Sequence, residues 1–143
     1  MRPRKRRSQA RSRRRGRPRG APPPTTLDAL AAQIVAFRDA RDWKRFHDPK
    51  DMALSLVLEA AELMEHVQWR SGKDLAAHLA RRRAAVGDEL SDVLYWVLLL
   101  AHDLGIDLAA AFHRKMRLNA RKYPVAKARG LAAKYTELRR KRS

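Results

Sequence analysis

Two segments of this chain read as helices that are apolar around most of their circumference: MALSLVLEAAEL over residues 52–63 and DELSDVLYWVLLLA over residues 88–101. Each carries two acids three residues apart. Glu59 and Glu62 therefore share one face of their helix, and Glu89 and Asp92 share one face of theirs. Any fold of this chain has to accommodate that arrangement. An ionised carboxylate without a partner in apolar surroundings costs several kcal/mol, and four in one interior repel one another. A protein resolves this by raising carboxyl pKa values, by pairing with Arg or Lys, or by binding a divalent cation. Basic residues are scarce within the two stretches, which favours the cation. All-oxygen ligands select a hard ion, Mg²⁺ or Mn²⁺, and Mg²⁺ keeps positions open for water and phosphate oxygens. The pattern points to phosphate chemistry. Glu65, one further turn along, reads as the solvated or salt-bridged helix end near Arg70.

The rest of the chain is punctuated as helices. Thr26 is placed to N-cap a helix with Leu27, Leu30, Ile34 and Phe37 on one stripe. A polar linker holding Trp43, Phe46 and His47 follows. Asp48-Pro49-Lys50-Asp51 opens a second helix, with cap, proline and acid in the expected order, running to about residue 69. Gly72 permits a reversal, Asp74 is the expected cap of the next segment, and residues 75–104 are helical in composition with Gly87 as the one weak point. Gly105 and Ile106 mark a helix end, Asp107 caps a fourth helix, and Pro124 closes it. No segment alternates with the period of two of a half-buried strand. The expected fold is all-α, a bundle of four helices, or five if Gly87 breaks the third. A domain this small cannot enclose both apolar helices, so a homo-oligomer, dimer or tetramer, is expected.

Charge alone suggests a different protein. The chain has 143 residues, 33 Lys and Arg against 15 Asp and Glu, and a net charge of +18. Residues 1–20 hold 11 of the basic residues and no acid, and residues 139–142 hold 4 more, leaving 18 basic residues against 15 acids, a net +3, between them. The expected organisation is a disordered basic tail over 1–24, one domain over 25–138 and a short basic tail over 139–143. The N-terminal tail is read either as an arm attracting nucleic acid or as a segment of little function, including a misplaced start site; the second is favoured. A basic nucleic-acid-binding or regulatory helical module without catalysis is the alternative to an enzyme.

Other classes are excluded more simply. The chain has no cysteine, hence no disulfide framework, zinc-thiolate site or cysteine nucleophile. The longest apolar run, residues 93–101, ends at His102-Asp103, short of a membrane span. A di-iron carboxylate bundle needs Glu three residues before its histidines. The residues three before His47, His66, His78, His102 and His113 are Lys44, Leu63, Leu75, Leu99 and Ala110.

Glu59-Ala60-Ala61-Glu62 followed by Glu89-Leu90-Ser91-Asp92 resembles the EXXE…EXXD signature of the all-α nucleoside triphosphate pyrophosphohydrolases, the MazG-like group. Within it the chain is most similar to the dCTP pyrophosphatase branch. The stretches that carry this are Arg41-Asp42-Trp43 with Phe46-His47, Val67-Gln68-Trp69, Glu89-Leu90-Ser91-Asp92-Val93-Leu94, Lys115-Met116 with Asn119, Arg121-Lys122-Tyr123-Pro124, and Lys134-Tyr135-Thr136-Glu137-Leu138. The resemblance spans about residues 27–138. It implies that Glu59, Glu62, Glu89 and Asp92 hold Mg²⁺, and that a nucleoside triphosphate is cut to monophosphate and pyrophosphate. Glu59 or Glu62 would orient the attacking water as general base.

By the same resemblance Lys115, Asn119, Lys122 and Tyr123, a single stripe of their helix, touch the triphosphate. Trp43 and Trp69 stack on the base, with His47 nearby and Trp96 at the same pocket. The branch's vertebrate members carry a histidine where this chain has Ile34 and a tyrosine where it has Trp96. Those departures bear on base and sugar selectivity, for which a dCTP-like or modified pyrimidine nucleotide is the expectation. Cytoplasmic house-cleaning of the nucleotide pool is the implied role.

Overall fold

The structure, a computed structural model, describes residues 26–140, with side chains over 26–138. The expected basic tail over 1–24 lies outside the described residues, as do residues 141–143. Seven α-helices and one 3₁₀ turn make up the described chain, with no strand among the described residues. They are α1 (Leu27–Asp39), the turn Lys44–Phe46, α2 (Pro49–Glu65), α3 (Gly72–Arg81), α4 (Arg83–Asp103), α5 (Leu108–Lys122), α6 (Val125–Ala128) and α7 (Tyr135–Arg140). The all-α expectation holds in its five-helix form, with two short helices added after α5.

Local chemistry sets most of the boundaries. The Thr26 hydroxyl accepts from the Ala29 N–H at 3.2 Å, the Asp48 carboxylate from Asp51 at 2.9 Å, and the Asp107 carboxylate from Ala110 at 2.8 Å. Each satisfies an orphan donor of a first turn. Gly105, at φ 63°, reverses the chain after α4, which a residue with a Cβ would resist.

Three boundaries differ from the sequence expectation. Helix α2 ends at Glu65, short of the expected end near residue 69, and residues 66–69 form turns. The long third segment breaks at Arg82 (φ −104°, ψ 19°) and not at Gly87, which lies inside α4 and whose carbonyl accepts from the Ser91 hydroxyl at 2.7 Å. The break falls in a run of three arginines, Arg81-Arg82-Arg83, that offers no apolar side chain to either helix. The helix through Gly87 is held by packing along α2, which outweighs a glycine penalty of about 1 kcal/mol. Asp74 is likewise not the cap of α3. Ser71 occupies that position, and Asp74 sits in the first turn paired with Arg70 at 3.4 Å. Arg70 therefore answers Asp74 and not Glu65.

Helix α4 is the centre of the fold, packed against α2 along much of its length and against α1 beside it. Met52 of α2 and Leu98, Leu99 and Ala101 of α4 are buried, with Leu138 of α7. The most buried large residue beside them is charged: Arg38 of α1 has no exposed surface. Its Nη1 donates to both carboxylate oxygens of Asp103 at 2.8 and 2.7 Å, and its Nε donates to Asp39 at 2.9 Å. Burial alone would raise the Asp103 carboxyl, but the hydrogen bonds from Arg38 and His102 outweigh it and hold it below the ordinary aspartate range. This pair fastens α1 to the end of α4. The sequence reading missed it, although Arg38 lies four residues after Ile34 and eight after Leu30, on the apolar stripe itself.

Candidate active site

The α2–α4 pairing carries out what the acid spacing demanded. It brings Glu59 of α2 opposite Glu89 and Asp92 of α4, with one carboxylate oxygen of each within 4.8 Å of the others. Glu62 stands beside them and registers their charge. The negative charge of Glu59, then that of Glu89, with a little desolvation and the charges of Glu65 and Asp92, holds the Glu62 carboxyl above the ordinary glutamate value. Among the described residues no lysine or arginine forms an ion pair with any of the four. Of the three resolutions open to such a cluster, pairing is thereby set aside, and a divalent metal fits the donor set.

The acids are less enclosed than their apolar sequence context led us to expect. Glu59 and Glu89 are half-buried, whereas Glu62 and Asp92 are exposed. Met52 and Leu99 lie seven residues from Glu59 and Asp92, on the same stripes of α2 and α4, so apolar side chains close the helix contact at that end and it opens into a groove at the acids. Mutual repulsion, more than desolvation, is the strain here.

That repulsion has a pH signature. A glutamate whose folded-state pKa is raised binds its proton more tightly folded than unfolded, so the metal-free protein loses stability as pH rises from the ordinary glutamate value through the raised one. A divalent cation relieves the same repulsion. Added at a hundredfold excess over its Kd, it is expected to raise the melting temperature by roughly 10 °C near neutrality. The gain should shrink as pH falls through the carboxylate range, and a melting temperature indifferent to the cation at pH 7 would contradict metal binding.

Beside the acids lies a cavity of about 500 Å³, lined by Gln33, Ile34 and Phe37 of α1, Trp43 and His47 of the linker, and Glu59, Asp92, Tyr95 and Trp96. Trp96 joins the two parts: its indole Nε1 donates to Glu59 Oε1 at 3.2 Å, and its ring meets that of His47 edge-on at 5.4 Å. Phe37 and Trp43 pack edge-to-face at 5.9 Å, and the Arg41 guanidinium caps Phe37 at 3.5 Å. His47 Nδ1 is buried with no hydrogen-bond partner, a polar atom that a ligand's edge could satisfy.

Of the residues singled out from sequence, the chain brings together Trp43, His47, Trp96, Glu59, Glu62, Glu89 and Asp92. It does not bring the others to them. Trp69 is 88 % exposed beyond the end of α2 and lines none of the cavities described here. Lys115, Asn119, Lys122 and Tyr123 lie along α5, whose end faces α6 and α7; Lys122 sits over the Tyr135 ring at 5.0 Å and Tyr123 meets Tyr135 edge-on. The sequence reading did not single out Gln33 or Phe37 as cavity residues. Phe37 reads as core on its stripe, and Gln33 precedes Ile34 on α1 with no signal of its own.

An all-helical fold that sets a Glu-x-x-Glu face against a Glu-x-x-Asp face, with an aromatic cavity at one side, offers a divalent cation a carboxylate site beside a pocket for a flat ring. The chain belongs to the MazG-like family, whose model matches residues 54–138. It is 41 % identical over 120 residues to dCTP pyrophosphatase 1 of Rattus norvegicus, covering 82 % of this chain and 71 % of that one. It is 40 % identical over 118 residues to dCTP pyrophosphatase 1 of Homo sapiens, covering 81 % and 69 %. Among solved structures, a pyrophosphatase from Archaeoglobus fulgidus superimposes with a TM-score of 0.65 at 39 % identity, over 68 % of this chain and 92 % of that one.

Proposed function

We propose that this protein is a Mg²⁺-dependent nucleotide pyrophosphohydrolase that converts a dCTP-like or modified pyrimidine nucleoside triphosphate to its monophosphate and pyrophosphate. The observation that carries the reading is the Trp96–Glu59 hydrogen bond, which ties an aromatic cavity with room for a nucleobase to a carboxylate cluster suited to a metal. The names of the relatives agree with it.

In this reading the base enters the aromatic cavity, stacking against Trp43 or Trp96, and His47 Nδ1 supplies a hydrogen bond to its edge. Glu59, Glu62, Glu89 and Asp92 hold the metal, which when bound neutralises phosphate charge as the bond breaks. Glu59 or Glu62 orients a water toward the phosphorus and accepts its proton. A P–O bond to that water forms, the anhydride P–O bond breaks, and pyrophosphate leaves. Ile34 in the cavity wall gives the base an apolar neighbour.

Two features support assembly into a homo-oligomer, a dimer or tetramer. Leu54, Val57 and Leu58 of α2 and Phe112 of α5 are all more than half exposed in the single chain, large apolar side chains that contact with another copy would cover. Lys115, Asn119, Lys122 and Tyr123 line neither cavity at the acid row of their own chain, as expected if another copy supplies them to the phosphates. Among the described residues no single helix is long and apolar enough to cross a membrane, and action on the cytoplasmic nucleotide pool fits the substrate. The test is a panel of canonical and base-modified NTPs and dNTPs with Mg²⁺, scored for pyrophosphate. A pyrimidine deoxynucleotide is expected to lead it, and no pyrophosphate from any member would end the proposal.

A further inference from the structure

The four acids do not all face one space. Glu59 and Asp92 line the aromatic cavity, whereas Glu62 and Glu89 line a second one of about 430 Å³, whose remaining wall includes His66, His78 and Arg82. The acid row is thus a partition. On one side are aromatic rings; on the other are two imidazoles and a guanidinium.

His66 Nδ1 and His78 Nε2 lie 3.5 Å apart, held by the end of α2 and by α3. Arg82 sits at the break between α3 and α4. Among the described residues it forms no ion pair, although Glu62, Glu65 and Glu89 share its cavity. Its five N–H donors are therefore uncommitted to a carboxylate. Glu59 and His66 are seven residues apart, about 10 Å along the helix axis, comparable to an extended triphosphate.

A nucleoside triphosphate has the same two-ended character, a flat base at one end and a polyanion at the other. We infer that the second cavity is the subsite for the terminal phosphates, where Arg82 and the His66–His78 pair add donors from this chain to the Lys115, Asn119, Lys122 and Tyr123 stripe of another copy, so that the substrate lies across the acid row and pyrophosphate departs on the α3 side. This rests on the pyrophosphohydrolase reading and adds to it the residues that recognise the leaving group. The glutamates in the same wall repel a bare phosphate, so the subsite fills only together with the divalent cation. Guanidinium and imidazole N–H groups give phosphate oxygens charge-assisted bonds that water in an open groove does not match.

The experiment compares wild type with Arg82→Ala, Arg82→Lys and a His66→Leu/His78→Leu double variant. For each, KM and kcat are measured with one triphosphate and Mg²⁺, together with product inhibition by Mg²⁺-pyrophosphate and, separately, by the nucleoside monophosphate. R82A is expected to raise KM and the pyrophosphate inhibition constant about tenfold each, the loss of one charge-assisted bond. Inhibition by the monophosphate, which occupies the aromatic end, should not change. R82K should recover part of the loss, because it restores the charge without the fork. The double variant should follow R82A in direction. The inference is overturned if R82A and the double variant keep wild-type KM and pyrophosphate inhibition, or if they weaken both products alike. If the wild type itself releases no pyrophosphate, the underlying reading falls and takes this one with it; if only the variants match an active wild type, this one falls alone.

Discussion

Asp92→Asn should reduce metal-dependent pyrophosphate release by at least about 100-fold while leaving the fold intact. The amide has the shape of the carboxylate but not its charge, and Asp92 is an exposed member of the acid group that α2 and α4 bring within 4.8 Å. Glu62→Gln should cost similar activity with an informative difference in stability. Glu62 carries a carboxyl pushed up by its neighbours, so removing its charge relieves repulsion, and the metal-free variant should melt no lower than wild type at neutral pH. Loss of activity with unchanged or higher metal-free stability separates a metal ligand from a structural residue. Turnover at wild-type rates in both variants would remove the acid row from the mechanism.

The second large effect concerns stability. Asp103→Asn or Arg38→Met breaks a pair in which the arginine side chain is 1 % exposed and the aspartate 11 %, and either is expected to cost about 3–5 kcal/mol in urea denaturation because one charge is left without its partner. An Arg38→Met/Asp103→Leu double variant should recover much of that loss, since two apolar side chains need no desolvation of charge. The pH dependence follows from the lowered Asp103 carboxyl. Its contribution is present above the ordinary aspartate value and is lost as pH falls through the lower folded-state value. Single variants costing less than about 1 kcal/mol would show that α1 is held by other contacts. Because α1 supplies Gln33, Ile34 and Phe37 to the aromatic cavity, loosening it should also raise KM.

Both effects trace to carboxylates that the sequence presents very differently. Glu59, Glu62, Glu89 and Asp92 could be read because their spacing and their apolar context are local properties, and helical periodicity alone puts each pair on one face. Helix caps at Thr26, Asp48 and Asp107 were legible for the same reason, since a cap is made within four residues. Arg38 and Asp103 are 65 positions apart, and no local rule distinguishes a buried guanidinium from a solvated one. Arg82 shows the converse: a bend set by where α3 and α4 pack overrode the residue with the poorest helix propensity, Gly87.

The chain's own sequence determined that it is helical, that its +18 charge is concentrated towards its ends, and that two acid pairs lie within its most apolar segments. Those are consequences of composition and period, which need no partner helix to be expressed. Only the tertiary structure decided that the acids form one row on an open groove, that Trp96 bonds to Glu59, and that the row separates an aromatic cavity from one where His66, His78 and Arg82 stand among glutamates. Each of those depends on the rotation of α2 about α4, and a helix's rotation is fixed by the packing of its buried face, Met52 on α2 and Leu98, Leu99 and Ala101 on α4, which brings together residues that the sequence keeps far apart.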